Sequence, residues 1–339
     1  MKKKLIGILY NQHSAEDDYY YIEADEAVID EVNAIKYSLT KFGYHYILLP
    51  FRKKYARRIL NKIFRHDWYC IINLCESVDG KNLDQLQIPA ILEILKIPYT
   101  GSCPYCLALT TDKAATKGVL GAYGLPAPEY KIIYEPNGIP DGLKFPLIVK
   151  PQFEDASVGI DHSSVVYDKQ QLLKRINKIF KKLNQPVIIE RYIDGREINV
   201  AVYEDDEIKV LPISEIIFEN FPADIPKIVT YKAKWDKYSW EEKQTKGVCP
   251  AKLSKKTEKY IKEIVIKAFV ACKCRDYARV DIRLNKSNKP YIIEVNANPD
   301  ISPGAGFMRS WRTAGKTYDD FVKFIVEKGH QRNPTYHYG

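Results

Sequence analysis

The sequence predicts an α/β layer followed by an α+β module, on three observations. Up to about residue 100, apolar runs of strand length alternate with segments of helical period. From about residue 130 the strand-like runs become short and lie closer together. No stretch approaches the ~18 apolar residues of a membrane span. The composition over 339 residues, 45 % hydrophobic and 28 % charged, is that of an ordinary soluble globular protein.

Residues 4–10 read as a first buried strand. The lysine-rich start imitates a secretory leader, but its apolar run is interrupted by Gly7 and followed at once by Asn11-Gln12-His13. Such a leader needs about 7–15 apolar residues, so the chain is expected in the cytoplasm. Residues 22–42 carry Ile22, Val28, Ile29, Val32, Ile35 and Leu39 at helical spacing and stop near Gly43. Tyr46–Leu49 reads as a second strand ended by Pro50, 55–65 as a helix, Trp68–Leu74 as a third strand and 84–96 as a helix. This alternation predicts a parallel sheet.

A short helix over 112–124 is capped by Thr111 or Asp112 and broken by Gly124-Leu-Pro-Ala-Pro128. Short strands at 131–134, 146–150 and 163–166 follow, then a helix at 169–183 and a strand at 187–193. Residues 195–213 hold two strands around Glu204-Asp205-Asp206-Glu207. Residues 219–247 show no strong periodicity. A helix over 254–273, strands at 277–284 and 290–296 and a helix near 317–328 complete the chain.

The net charge of +9 favours an anionic ligand. The lysines are spread along the chain, however, so a solvated basic surface accounts for the excess. No recognised motif points to nucleic acid, which is not expected as a partner. Seven scattered cysteines give no disulfide framework. Cys103-Pro-Tyr-Cys106 and Cys272-Lys-Cys274 lack the paired spacing of a zinc ribbon, and reduced thiols are the default in the cytoplasm.

The most informative local feature is a polar turn between two apolar runs, Ala278–Leu284 and Pro290–Asn296. With Ser287-Asn288 at the turn centre, Asp281 falls opposite Glu294 and Arg279 opposite Asn296. Alternation places Arg279, Asp281 and Arg283 on one face, and Glu294 and Asn296 on one face of the partner strand. Two carboxylates facing each other repel as a plain cross-strand pair. With an amide oxygen beside them they make a site for a hard cation, Mg²⁺ where phosphate oxygens complete the octahedron. Arg279 stands ready to stabilise negative charge beside that metal.

A nucleotide bound there needs cations on its phosphates. Phe145–Pro151 ends a buried strand with Lys150, and an ammonium so placed requires an anion. The loop Gln152–Gly159 after it is rich in small residues and suited to fold over phosphate, or to form an ordinary turn. Lys113, at a helix start, is a second candidate; taken alone it reads as a solvated lysine. Val187–Ile193 followed by Asp194-Gly-Arg-Glu197 is an apolar strand and turn whose end suits adenine, with Glu197 near a ribose hydroxyl. The pattern alone does not show this.

In order and spacing these segments resemble the ATP-grasp superfamily, and within it the D-alanine–D-alanine ligase branch. The resemblance covers most of the chain. It includes Ile97–Ser102, Thr111–Lys117, Phe145–Pro151, Ser157–Gly159, Ile189–Ile193, Gly195–Glu197, Tyr231–Lys234, Ala278–Asp281 and Ile293–Asn296. It implies a three-domain fold, with an N-terminal parallel-sheet substrate domain at 1–105, a central ATP-grasp subdomain at 106–192 and a C-terminal one with the metal site at 193–339. ATP is expected between the last two. Lys113 and Lys150 are implied as phosphate lysines, Glu190, Tyr192 and Ile193 as the adenine hinge, and Glu197 as the ribose carboxylate. Asp281, Glu294 and Asn296 are implied as ligands of two Mg²⁺ ions, with Mn²⁺ as a substitute. Arg279, Lys234 and Ser157 are implied at the reacting groups. The chemistry implied is γ-phosphoryl transfer to a small-molecule carboxylate and then attack by an amine, in a homodimer.

The acceptor half departs from that branch. The first loop has Glu16 in an altered context, Ala156 replaces one of two serines before Val158-Gly159, and Asn73-Leu-Cys-Glu76 replaces a His-Gly. After Asn296 the chain reads Ala-Asn-Pro-Asp-Ile-Ser-Pro-Gly-Ala-Gly-Phe307 in place of a Pro-Gly-Met segment and a serine that binds the acceptor carboxylate. The expected substrates are therefore an amino-acid-like pair other than D-alanine with itself; Arg309 or Arg312 either meets a substrate carboxylate or lies on the surface. One alternative is a peptide- or protein-modifying ligase, in keeping with the basic charge and Tyr19-Tyr-Tyr21. Another is a non-catalytic ATP-binding module, opposed by the complete set Lys150, Arg279, Asp281, Glu294 and Asn296.

Overall fold

The computed structural model describes residues 4–12, 22–136 and 139–332. Its first layer runs β1 (Leu5–Asn11), α1 (Ile22–Lys41), β2 (His45–Phe51), α2 (Ala56–Phe64), β3 (Cys70–Asn73) and α3 (Gln87–Ile94). The strands lie in the order β2-β1-β3, all parallel. Both faces of β1 are covered. Ile6 and Ile8 pack with Val32, Ile35 and Leu39 of α1, while Leu9 packs on the other side with Ile59, Ile63 and Leu92. That is why the run from Leu5 to Tyr10 is unbroken rather than alternating. Pro50 does not end its strand, because β2 is an edge strand and tolerates a missing N–H; Pro50 pairs with Tyr10.

Next come α4 (Pro104–Thr111), α5 (Lys113–Ala122), β4 (Tyr130–Ile133), β5 (Leu147–Pro151), β6 (Val165–Val166), α6 (Lys169–Leu183) and β7 (Val187–Arg191). The strands form an antiparallel sheet, β4-β7-β5-β6. Leu172, Ile176 and Ile179 of α6 bury against it.

The remaining chain builds a larger antiparallel sheet. Its strands are β8 (Gly195–Glu204), β9 (Ile208–Val210), β10 (Ser214–Phe218), β11 (Thr245–Val248), β12 (Tyr277–Asn285) and β13 (Pro290–Asn296). The order is β11-β10-β8-β12-β13, with β9 beside β8. The helices are α7 (Tyr231–Trp235), α8 (Trp240–Gln244), α9 (Lys255–Ala271), α10 (Gly306–Thr313) and α11 (Tyr318–Gln331). One sheet face (Val200, Val280, Ile282) is sealed by Ile261, Val265 and Ala268 of α9. The other face carries the polar site. Phe321 and Ile325 of α11 share a cluster with Ile6 and Ile8, so the last described helix completes the first layer's core.

Residues 219–247 are not structureless. They contain α7, α8 and β11, each too short to show a period. Pro104, at the first position of α4, starts a helix there. That helix carries Cys106 into the core, where its Sγ lies 3.8 Å from that of Cys274, with Cys103 and Cys272 in the same apolar cluster. All seven thiols are free. Burial pushes the Cys272 thiol up to about 12, which suits an inert packing role. Among the described residues no helix is long and apolar enough to cross a membrane.

Candidate functional site

A cavity of about 440 Å³ lies between the four-stranded sheet and the polar face of the larger one. Lys113, Lys150, Ser157, Glu190, Tyr192, Ile193, Glu197, Lys234, Arg279, Asp281, Glu294 and Asn296, far apart in sequence, all line it.

The carboxylate hairpin has the expected pairing, Arg279 opposite Asn296 and Asp281 opposite Glu294. The turn differs, however. Asn288 takes a left-handed conformation (φ 57°) and closes a three-residue loop. Near the turn Ile282 pairs with Ile292, and a bulge beyond it shifts the register by one residue. The bulge restores the alignment that a two-residue turn would have given, and so brings the carboxylates together.

No bare carboxylates stand there. Arg279 grips Asp281 with two hydrogen bonds of 2.8 Å each. Asn199, directly opposite on β8, donates a third at 2.7 Å. Lys113 Nζ lies 3.0 Å from Glu294 and 3.1 Å from Asp155, and donates to the Glu154 carbonyl. Burial pushes the Glu294 pKa up, but the charge and hydrogen bond of Lys113, together with the charges of Lys150 and Arg279, outweigh it and hold the group down at about 2. Asp155 goes the other way, pushed up to about 7 by burial against the pull of Lys113. Lys113 is thus a buried, paired lysine and not a solvated one; Asp112 caps its helix by accepting from Ala114 and Ala115.

Asp281, Glu294 and Asn296 are all hard oxygen donors and fit Mg²⁺. Among the described residues no group of three or more His, Cys, Asp or Glu is arranged to hold a metal. This set is two carboxylates and an amide, so its remaining ligands must come from phosphate or water.

Lys150 finds its anion in Glu190, at 3.1 Å. Glu190 is shared with Lys117, 3.2 Å away, which also donates to the Ile293 carbonyl at 2.9 Å. Burial raises the Glu190 pKa, yet the two ammonium charges outweigh it and bring it below its ordinary value. Burial pulls Lys117 down, against Glu190. The Glu190 carboxylate is therefore spent on lysines, and what this strand end offers the cavity is backbone and the side chains of Tyr192 and Ile193.

Arg283, fully buried, ties that end to the sheet. It donates to the Ile193 carbonyl at 3.0 Å, to the Gly195 carbonyl at 3.2 Å and to Glu197 at 2.9 Å. Burial raises the Glu197 pKa while Arg283 opposes it.

Ala156 and Ser157 are both left-handed (φ 53° and 62°), which curls the loop after β5 onto α7. Ser157 Oγ donates to the Val229 carbonyl at 3.0 Å, and Trp235 Nε1 to the Ala156 carbonyl at 2.9 Å. Lys234 Nζ sits 4.7 Å from the Trp235 ring centroid. Beside Asn296 and Lys234 opens a smaller polar cavity lined by Glu31, Glu76 and Asp300. Glu76 and Asp300, from separate departures in the sequence, meet there. Of the two arginines, Arg309 lines the main cavity, while Arg312 donates to the Pro303 carbonyl on the surface. Glu16 and Tyr19-Tyr-Tyr21 lie outside the described residues.

Sequence reasoning did not single out Lys117, Asn199 or Arg283 as site residues. Lys117 is one helical turn from Lys113, and Asn199 two residues from Glu197 on one strand face, so both signals were present.

A family model described as "D-ala D-ala ligase C-terminus" matches residues 122–327. An uncharacterized protein of Sinorhizobium fredii is 36 % identical over 262 residues, covering 77 % of this chain and 75 % of that one. A D-alanine–D-alanine ligase of Cupriavidus pinatubonensis is 31 % identical over 254 residues, covering 74 % of this chain and 73 % of the relative. The structure of the D-alanine–D-alanine ligase from Bacillus anthracis complexed with ATP superposes with a TM-score of 0.76 at 25 % identity, over 97 % of both chains.

Proposed function

The chain belongs to the D-alanine–D-alanine ligase family of ATP-grasp enzymes, and from that premise we propose that this ADP-forming ligase joins an amino-acid-like carboxylate to an amine other than the D-alanine pair. The observation that carries the reading is the hairpin register: Asp281 faces Glu294, with Lys113 and Lys150 on the same cavity.

In this reading a substrate carboxylate oxygen attacks the γ-phosphorus of ATP, and the bond to the β-γ bridging oxygen breaks, releasing ADP. The amine then attacks the acyl carbon, inorganic phosphate leaves and the amine gives up a proton. Lys113 and Lys150 neutralise the phosphates. Asp281, Glu294 and Asn296 would hold Mg²⁺, which supplies charge neutralisation at the phosphoryl group. Arg279 stabilises the oxyanion that forms at the acyl carbon. Tyr192, Ile193 and Glu197 orient the nucleoside, while Lys234 and Ser157 close the reacting end. The division at 1–105, 106–192 and 193–339, the cytoplasmic location and a homodimer belong to the same proposal.

The altered substrate pair is supported by Asp300, within the rebuilt segment after Asn296, and by Arg309, just beyond it, both of which line the cavity. The test is ADP and phosphate release from Mg-ATP over a panel of D- and L-amino acids, dipeptides and dicarboxylates, with Asp281→Asn as control. Substrate-dependent release that the variant lacks supports the ligase chemistry. Efficient D-alanyl-D-alanine synthesis would overturn the altered pair. Stimulation by peptides alone would move the reading to a peptide-modifying ligase.

A further inference from the structure

Arg309, on the first turns of α10, lines the main cavity, and its guanidinium donates to Ser214 Oγ at 3.1 Å. It lies against the backbone of β11. A Cβ added to Gly247 would fall 2.0 Å from the guanidinium carbon, so glycine is what leaves room for it. Among the described residues no carboxylate pairs with Arg309. The charged groups that act on it are the cations Arg312 and Arg279, and the Cys249 thiol. Arg279 is already held by Asp281, at 2.8 Å. A half-buried cation among cations is unfavourable until an anion joins it.

The location separates this group from the metal and phosphate end. Ser214 pairs with Asn199, Asn199 with Asp281 and Asp281 with Glu294, one polar row across four strands. Two strand spacings, about 10 Å, therefore separate Ser214 from Asp281. The start of α10 lines the same end, and its capping residue, Ala305, offers no side-chain acceptor. Its orphan N–H groups add positive potential there.

We propose that Arg309 selects the amine substrate by receiving its carboxylate, in the space left by Gly247 and beside Ser214. The identity of the ligand as the amine substrate rests on the ligase reading; its negative charge rests on the geometry. A guanidinium fork meets a carboxylate through two parallel hydrogen bonds, which an amide cannot reproduce.

The test titrates the full chain, with and without Mg-ADP, with glycine, alanine and glutamate against their α-carboxamides. Wild type should bind at least one acid about tenfold more tightly than its amide. Arg309→Gln should abolish that preference, Arg309→Lys should retain part of it, and Gly247→Ala should mimic Arg309→Gln. Arg312→Gln should leave it intact. Mg-ADP and Mg-ATP affinity should be unchanged in Arg309→Gln, which also shows that the variant folds. A wild type without preference for acids overturns the proposal, as does a preference that survives in Arg309→Gln. An equal loss of nucleotide affinity would reassign Arg309 to the phosphates. Failure of Mg-ATP binding in wild type would instead sink the ligase reading, while the acid preference is still scored without nucleotide.

Discussion

Asn199 donates from its side-chain amide to Asp281 across 2.7 Å, from the position directly opposite on the neighbouring strand. It contacts the Asp281 oxygen that also accepts from Arg279 Nε, so the carboxylate is fixed in orientation before any cation arrives. Partners that orient a ligating carboxylate typically matter about 10–100-fold for metal affinity. Asn199→Ala is expected to weaken the Mg²⁺ dependence of ATP turnover by that factor, with thermal stability nearly unchanged. A titration of Mg²⁺ at fixed ATP reads it; an unchanged midpoint would show that Asn199 does not act through Asp281.

Glu190 sits between Lys117 and Lys150 with its side chain 1 % exposed. Removing its charge leaves the buried Lys117 and the cavity-lining Lys150 without their shared anion. Glu190→Gln is expected to cost about 3–5 kcal/mol of stability. Denaturant unfolding measures this, and a loss below about 1 kcal/mol would mean that water reaches both lysines.

Gly195 has φ +153°, and a Cβ there would lie 1.9 Å from the Leu284 carbonyl oxygen on β12. Neither backbone can move without parting β8 from β12. Gly195→Ala is expected to lose about 3 kcal/mol or more and to perturb nucleotide binding through the adjacent Glu197. Melting temperature and nucleotide affinity report the two effects.

Asp161 accepts from Lys178 at 2.7 Å and from Arg175 at 3.0 Å. Burial would raise its pKa, but the Lys178 and Ser163 hydrogen bonds and the Arg175 charge outweigh burial and hold it at about 2, from an ordinary 3.8. A depressed folded pKa gives stability that is present above the unfolded value and lost as pH falls through the folded one. Wild type should therefore exceed Asp161→Asn in urea midpoint above pH about 4, with the gap closing toward pH about 2. A gap constant across that range would show that the Asp161 charge is not what stabilises its contact with the middle of α6.

What the chain alone determined was what local pattern can encode. The unbroken run of β1, the helical spacing of α1 and the boundaries of α6 follow from apolar periodicity. Alternation along one hairpin put Arg279 with Asp281, and Glu294 with Asn296, on shared strand faces, but Asp281 meets Glu294 only because the bulge next to Ile282 cancels the odd length of the loop. Tertiary structure decided the rest, because the deciding partners are distant in sequence. Lys113 is buried and not solvated only because Glu294 meets it from 181 positions away, the separation of their residue numbers. Glu190 became a lysine partner because β5 and α5 converge on it. Arg309 was separated from Arg312 by a glycine on β11 that leaves space for one guanidinium. Periodicity records which face of an element is buried; it carries no record of which charge arrives on the opposite face, since that depends on how the layers stack.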